Sequence, residues 1–201
     1  MKKILVHVVT FMTLTTIAVT SSFADEKADM AAKQAEMNKA WQEASTPGAE
    51  HQLLKSLVGK WKVATKAWHS EGSKPEETTG TSTFKSILGG RFVQQDFKGK
   101  MMGQPYEGTG MMGYNNVTKK FESTWYDSMS TATMFMEGTM DSGSKIITQS
   151  GEFACPGKKE PQKMRSEFKI IDKNNATFVM YMPDMVTGKE YKGMEQVYKR
   201  M

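Results

Sequence analysis

Leu53-Leu54-Lys55-Ser56-Leu57-Val58-Gly59-Lys60-Trp61-Lys62-Val63-Ala64-Thr65-Lys66-Ala67 is where the chain changes its period. Leu53, Leu54, Leu57 and Val58 make one helical stripe, and Gly59 stands where a helix C-cap glycine belongs. Trp61 then opens a run in which Val63, Thr65 and Ala67 hold alternate positions, the period of a strand. A tryptophan at the head of that first strand can plug one end of a closed sheet.

Downstream the strand period persists almost to the last residue. After Trp61–His69 come nine further candidates: Thr79–Leu88, Arg91–Lys98, Pro105–Tyr114, Lys120–Asp127, Thr131–Met140, Lys145–Ala154, Gln162–Ile171, Thr177–Met182 and Lys189–Arg200. Short polar turns separate them, the spacing of an all-β barrel or sandwich. Gly89-Gly90 reads as a two-residue hairpin turn. Gly108 and Gly110 share a strand face with Tyr106, Met112 and Tyr114, and such glycines mark bends or close backbone approach. Several strands carry apolar residues on both faces, as in Phe84 with Ile87 and Phe92 with Val93. Closing the sheet removes edges that would otherwise need protection. A ring of ten strands is too wide for ordinary side chains to fill, so a cavity is expected.

Upstream, residues 25–44 contain no Gly or Pro and favour helix, with Met30, Met37, Trp41 and Ala44 on one narrow face. Thr46-Pro47 reads as the start of a second short helix reaching Val58. At the N-terminus, Met1-Lys2-Lys3, an uncharged run from Ile4 to Thr20, and Ser22-Phe23-Ala24 before Asp25-Glu26-Lys27 have the form of a cleaved bacterial export signal. The expected organisation is a signal peptide over 1–24, a helical arm over 25–46 and a barrel over 47–201, in a periplasmic or secreted protein. No other stretch could span a membrane.

The formal net charge of +5 is spread along the chain of 201 residues, two units of it from Lys2 and Lys3. That dispersal argues against a nucleic-acid surface. Cys155 is the single cysteine, so no intramolecular disulfide forms.

The glycine-x-tryptophan at the first strand and a basic residue at the last resemble the calycin superfamily of lipocalin-like and fatty-acid-binding barrels. That resemblance implies that Trp61 closes one barrel end and that Lys199 or Arg200 packs over it. A second resemblance runs from Pro47 to Arg200. Pro47-Gly48-Ala49-Glu50-His51, Ile87-Leu88-Gly89-Gly90-Arg91-Phe92, Met101-Met102-Gly103-Gln104-Pro105 and Gly113-Tyr114-Asn115-Asn116 are similar to a bacterial family known only as a domain of unknown function. So is Ser123-Thr124-Trp125-Tyr126-Asp127-Ser128-Met129. The family implies a calycin-like fold and supplies no catalytic residues.

No P-loop, dinucleotide fingerprint, nucleophile elbow or His/Cys zinc spacing is present, so no cofactor, metal site or catalytic residue is assigned. Haem-binding barrels of related shape use a late histidine, and the last two strands have none. Methionine is the unusual residue, at 18. Met134-x-Met136 and Met180-x-Met182 place thioethers on one strand face, which suits adaptable pocket lining or, alternatively, Cu(I) or Ag(I) ligation. The expected function is binding of a small, largely apolar molecule. Trp61, Arg91, Tyr106, Met112, Tyr114, Trp125, Asp127, Met134, Met136 and Glu195 are the expected lining. The enzymatic alternative, an isomerase or hydrolase, would use Asp127 or Glu195 as a cavity carboxylate, with Arg91 as a possible partner.

Overall fold

The computed structural model describes residues 14–141 and 143–201, and side chains from residue 25 onward. Of the export signal expected over 1–24, residues 1–13 lie outside the described residues and residues 14–24 are described in backbone only. The chain divides after Ser45 into two compact units. The first is helix α1, Leu14–Ser45. Its surface is held by i,i+4 pairs such as Lys33 with Asp29 at 2.7 Å. Met30, Met37 and Trp41 are exposed. Among the described residues no helix is long and apolar enough to cross a membrane.

The second unit begins with helix α2, Ala49–Lys55, followed by ten strands. They are β1 (Gly59–Ala67), β2 (Glu76–Ile87), β3 (Phe92–Met101), β4 (Gln104–Asn115), β5 (Lys120–Asp127), β6 (Met134–Asp141), β7 (Ile146–Phe153), β8 (Gln162–Ile170), β9 (Asn175–Pro183) and β10 (Glu190–Arg200). Each pairs antiparallel with its sequence neighbour, and β1 pairs with β10 from Trp61 opposite Arg200 to Ala67 opposite Met194. The sheet is a closed barrel.

Local details differ from the sequence reading in three places. Helix α2 starts later than Pro47. Gly48 is its N-cap and donates its N–H to His51 Nδ1 at 2.9 Å, so a side chain inside the helix satisfies the capping position. The helix also ends before Val58, with Ser56 as C-cap, so Gly59 is not the capping glycine. Gly59 is required for another reason. Its φ is +136°, and a Cβ there would lie 2.5 Å from Arg200 Nη1. The two-residue hairpin turn falls at Met102-Gly103 (φ 52° and 72°) instead of Gly89-Gly90. Leu88 to Arg91 form a four-residue connection between the paired Ile87 and Phe92.

Trp61 is 1 % exposed and occupies the end of the barrel where β1 begins. Its indole Nε1 donates to Leu57 O at 2.7 Å. Phe84 and Tyr198 meet it edge-on, each with ring centroids 6.4 Å away. The Arg200 guanidinium stacks on it at 4.2 Å from the ring centre. Arg200 also donates to Ser56 O and Val58 O at 2.7 Å and to Lys173 O at 2.6 Å. One cation thus satisfies carbonyls at the end of α2 and in the β8–β9 turn. Leu54 and Leu57, both 1 % exposed, add the apolar side of the cap. Trp61→Ala is expected to lower the unfolding free energy by ~3–5 kcal/mol in denaturant titration, the range of large buried aromatic truncations. A loss below ~1 kcal/mol would be in the range of surface substitutions and would contradict the plug.

Candidate functional site

The alternation set by Trp61 puts one face of every strand inside the barrel. At the closed end those positions carry stiff rings and branched chains: Phe84, Val93, Phe121, Ile147, Phe168 and Tyr198 are all at most 5 % exposed. Toward the other end the inner positions become methionine and the packing opens into a cavity of about 290 Å³. Its wall includes Met101, Met112, Met129, Met134, Met136, Met180, Met182 and Met194, with Phe97, Tyr106, Trp125, Phe168, Phe178 and Tyr198. The size lies at the small end of ordinary ligand sites. The mouth is the end where the β1–β2, β3–β4, β5–β6, β7–β8 and β9–β10 connections lie.

Glycines explain how Trp125 fits. A Cβ on Gly108 would collide with the indole, and one on Gly110 would lie 2.7 Å from Trp125 Cε3. The ring therefore lies flat on bare β4 backbone across the pair Gly110–Trp125. Its Nε1 donates to Tyr106 Oη at 3.0 Å, and that hydroxyl donates to Asp127 Oδ2 at 3.2 Å. Burial, together with the nearby Asp127 carboxylate, raises the Tyr106 phenol far above its usual range, so it stays neutral.

Other polar groups in the wall are bonded among themselves. Gln95 Nε2 donates to Ser82 Oγ (3.0 Å) and Tyr198 Oη (3.3 Å), Tyr198 donates to Gln196 Oε1 (2.6 Å), and Gln196 Nε2 donates to Thr65 Oγ1 (3.3 Å). Ser123 donates to Gln149 Oε1 at 3.0 Å, and Gln149 Nε2 donates to Phe121 O and Met136 O at 3.1 and 3.3 Å. Among the described residues no buried side-chain nitrogen or oxygen lacks a partner.

Of the residues expected to line a pocket, Tyr106, Met112, Trp125, Asp127, Met134 and Met136 face this cavity. Trp61 and Tyr114 point inward but belong to the packed closed end, where Tyr114 meets Phe121 at 5.0 Å. Two expectations are corrected. Glu195 lies on the outer wall, bonded to Lys192 Nζ, because Met194 and Gln196 on either side take the inner positions. Arg91 is exposed in the β2–β3 connection and donates to Leu88 O. That connection is at the closed end, the opposite end from Asp127, so the two cannot pair. Met180 and Met182, the second thioether pair read from the sequence, also face the cavity, whereas the inward residues Met194, Phe178 and Gln149 were missed. The signal for Phe178 was available in the alternation Phe178-x-Met180-x-Met182. Among the described residues no three His, Cys, Asp or Glu side chains gather into a metal-sized cluster.

Fold and site together define a calycin-like barrel with one sealed end and an apolar, methionine-rich interior. The chain belongs to the family described as "Protein of unknown function (DUF1579)", which it matches over residues 46–200. No curated protein matches it in sequence. Among solved structures it is similar to Rv2717c from M. tuberculosis, with 17 % identity and a TM-score of 0.59, over 78 % of this chain and 99 % of that one. It is also similar to the S-type phycobiliprotein lyase CPES from Guillardia theta, with 8 % identity and a TM-score of 0.52, over 79 % and 95 % of the two chains. At these identities the likeness is one of fold.

Carboxylates fasten the mouth. Asp184 Oδ1 accepts the N–H groups of Val186 and Thr187 at 3.0 and 2.8 Å, and Oδ2 accepts Glu71 N–H at 3.2 Å, joining two mouth connections. Glu76 accepts Met102 and Gly103 N–H at 2.9 and 3.2 Å. The backbone bonds, led by that from Thr187, hold the Asp184 carboxyl down to about 2, and the Met102 bond lowers Glu76. A carboxyl with a lower pKa in the folded state stabilises above its unfolded value, about 3.9 for Asp. That contribution is lost as pH falls toward 2. The melting temperature should therefore drop between about pH 4 and 2, and Asp184→Asn should flatten part of the drop. An unchanged profile in the variant would show that Asp184 does not anchor the mouth.

Proposed function

We propose that this protein is an exported binding protein for a small, largely apolar molecule held inside the barrel. The single observation that carries the reading is the cavity of about 290 Å³ walled by eight thioethers and six aromatic rings. A core of this size filled only for stability would close over with branched side chains. Methionine instead adapts its shape to an occupant and offers a polarisable surface. The polar wall groups are already bonded to one another, which lowers the penalty for placing an apolar body against them. Likeness of fold to a phycobiliprotein lyase supports a barrel able to serve chemistry, but it names no ligand for this chain.

Binding is tested with N-phenyl-1-naphthylamine, an uncharged dye that brightens in apolar surroundings. Saturable one-to-one binding is expected in the wild type. Met134→Trp, which fills the cavity from its open end, should weaken it at least about tenfold while leaving the melting temperature within a few degrees. Absence of saturable binding, or equal binding by the filled variant, would overturn the reading.

Export rests on Lys2-Lys3, the uncharged run that follows, and Ser22-Phe23-Ala24. N-terminal sequencing of the protein from the producing cell's envelope should read Asp25-Glu26-Lys27. A chain that keeps Met1 and stays in the cytoplasm would remove the export claim.

A further inference from the structure

The cavity's hydrogen-bonding capacity is lopsided. Most of its donors are already engaged: the Trp125 indole N–H, the Tyr106, Tyr198 and Ser123 hydroxyls, and both amide hydrogens of Gln149. A ligand carbonyl or carboxylate entering the barrel finds few free donors. Acceptors are left over. Asp127 is the one acidic residue among the lining residues, and it takes part in none of the ion pairs formed among the described residues. Each of its oxygens accepts one bond, from Tyr106 Oη at 3.2 Å and from Met129 N at 2.9 Å. A carboxylate oxygen has two acceptor sites, so each retains capacity. The carboxylate is half-buried and held from both sides. Trp125 fixes Tyr106, and Tyr106 fixes Asp127.

We propose that Asp127 selects a ligand carrying a protonated amine or similar N–H cation on an apolar body, with the body in the methionine-lined barrel and the cation at the mouth. This inference rests on the cavity-binding reading above. A carboxylate beside thioethers and aromatic rings is poorly solvated, and a cationic donor supplies both the missing charge and the missing bonds. The competing group is Lys100, which also borders the cavity. It lies on the outward alternation of β3 between Gly99 and Met101 and is exposed, so its ammonium is solvated on a flexible stem. Asp127 is fixed and partly desolvated, and it therefore dominates the selection.

The test uses three naphthalenes of nearly equal shape at pH 7 and low salt: 1-naphthylmethylamine, 1-methylnaphthalene and 1-naphthoate, each titrated into the protein by calorimetry or by displacement of the neutral dye. The amine should bind at least about tenfold tighter than the naphthoate, the scale of one charge-assisted contact. Asp127→Asn keeps one oxygen for the Met129 N–H and turns its NH2 toward the Tyr106 hydroxyl oxygen, which can accept from it, so the turn after β5 is kept while the charge is removed. It should bring the three affinities within about threefold of one another. Lys100→Ala should leave the order unchanged. Tightest binding by naphthoate, abolished in Lys100→Ala, would make the rim lysine the selector and overturn the proposal. So would an amine preference that survives Asp127→Asn, or equal binding of all three by the wild type. If 1-methylnaphthalene and the neutral dye both fail to bind, the cavity reading itself fails, an outcome distinct from loss of charge selection alone.

Discussion

The stack of Arg200 on Trp61 is the contact that makes a barrel out of a ten-strand ribbon. These two residues sit opposite each other where the last strand meets the first. Their side chains belong to the first and last strands of the sheet, so the contact can form only when the sheet has curled around completely. The guanidinium then reaches three backbone carbonyls, two at the end of α2 and one in the β8–β9 turn. A lysine would cover the ring with a point charge and could not span those carbonyls with a planar fork. Gly59 completes the arrangement because any side chain there would occupy the space of Arg200 Nη1. Helix, tryptophan, glycine and arginine are therefore one closure, not four separate features.

Sealing one end decides what the other can do. The stiff residues beneath Trp61 leave little freedom, and Phe84 and Phe168 each meet Tyr198, in a tilted and an edge-on contact near 6 Å. This half of the barrel is a fixed floor. Above it, bare backbone at Gly108 and Gly110 lets the Trp125 indole lie against the wall rather than across the lumen. Alanine at either position would push the ring inward, into the space now open. Cavity volume in this protein is thus set by glycines as much as by its lining side chains.

Strand count, closure and the role of Trp61 were legible because they depend on a period of two repeated ten times, a signal that survives local noise. What failed depended on parity or on a single turn. In sequence the basic partner of Trp61 is ambiguous between Lys199 and Arg200, and that ambiguity is one residue wide. Arg200 facing inward puts Tyr198, Gln196 and Met194 inward with it and Glu195 outside. Fixing one parity would have removed Glu195 from the site. A bulge between Lys192 and Met194 hides the pattern further upstream. Arg91 has the parity of an inward residue, yet it stands beyond the end of β3, where parity no longer applies. Gly59 has the local look of a helix cap, but the steric conflict that requires it is with Arg200, a residue far away in sequence. The Met102-Gly103 turn escaped notice because methionine at positive φ is uncommon.

The mouth combines two requirements that usually conflict. A binding site gains affinity when its frame is set before the ligand arrives, whereas a wall of flexible thioethers costs order on binding. Here the two properties are assigned to different atoms. Backbone at the mouth is fastened by carboxylates, Asp184 across two connections and Glu76 across the β3–β4 turn, while the wall between those anchors is methionine, an unbranched side chain with three rotatable bonds. Ordering on binding is then confined to side chains, and no connection has to fold around the occupant. The Trp125–Tyr106–Asp127 chain extends the same division into the cavity: it is a rigid polar file in an adaptable wall. In the proposed reading, such a site would fix the position of one polar group of a ligand and tolerate variation in the apolar remainder, because only the polar group would meet atoms that are held in place.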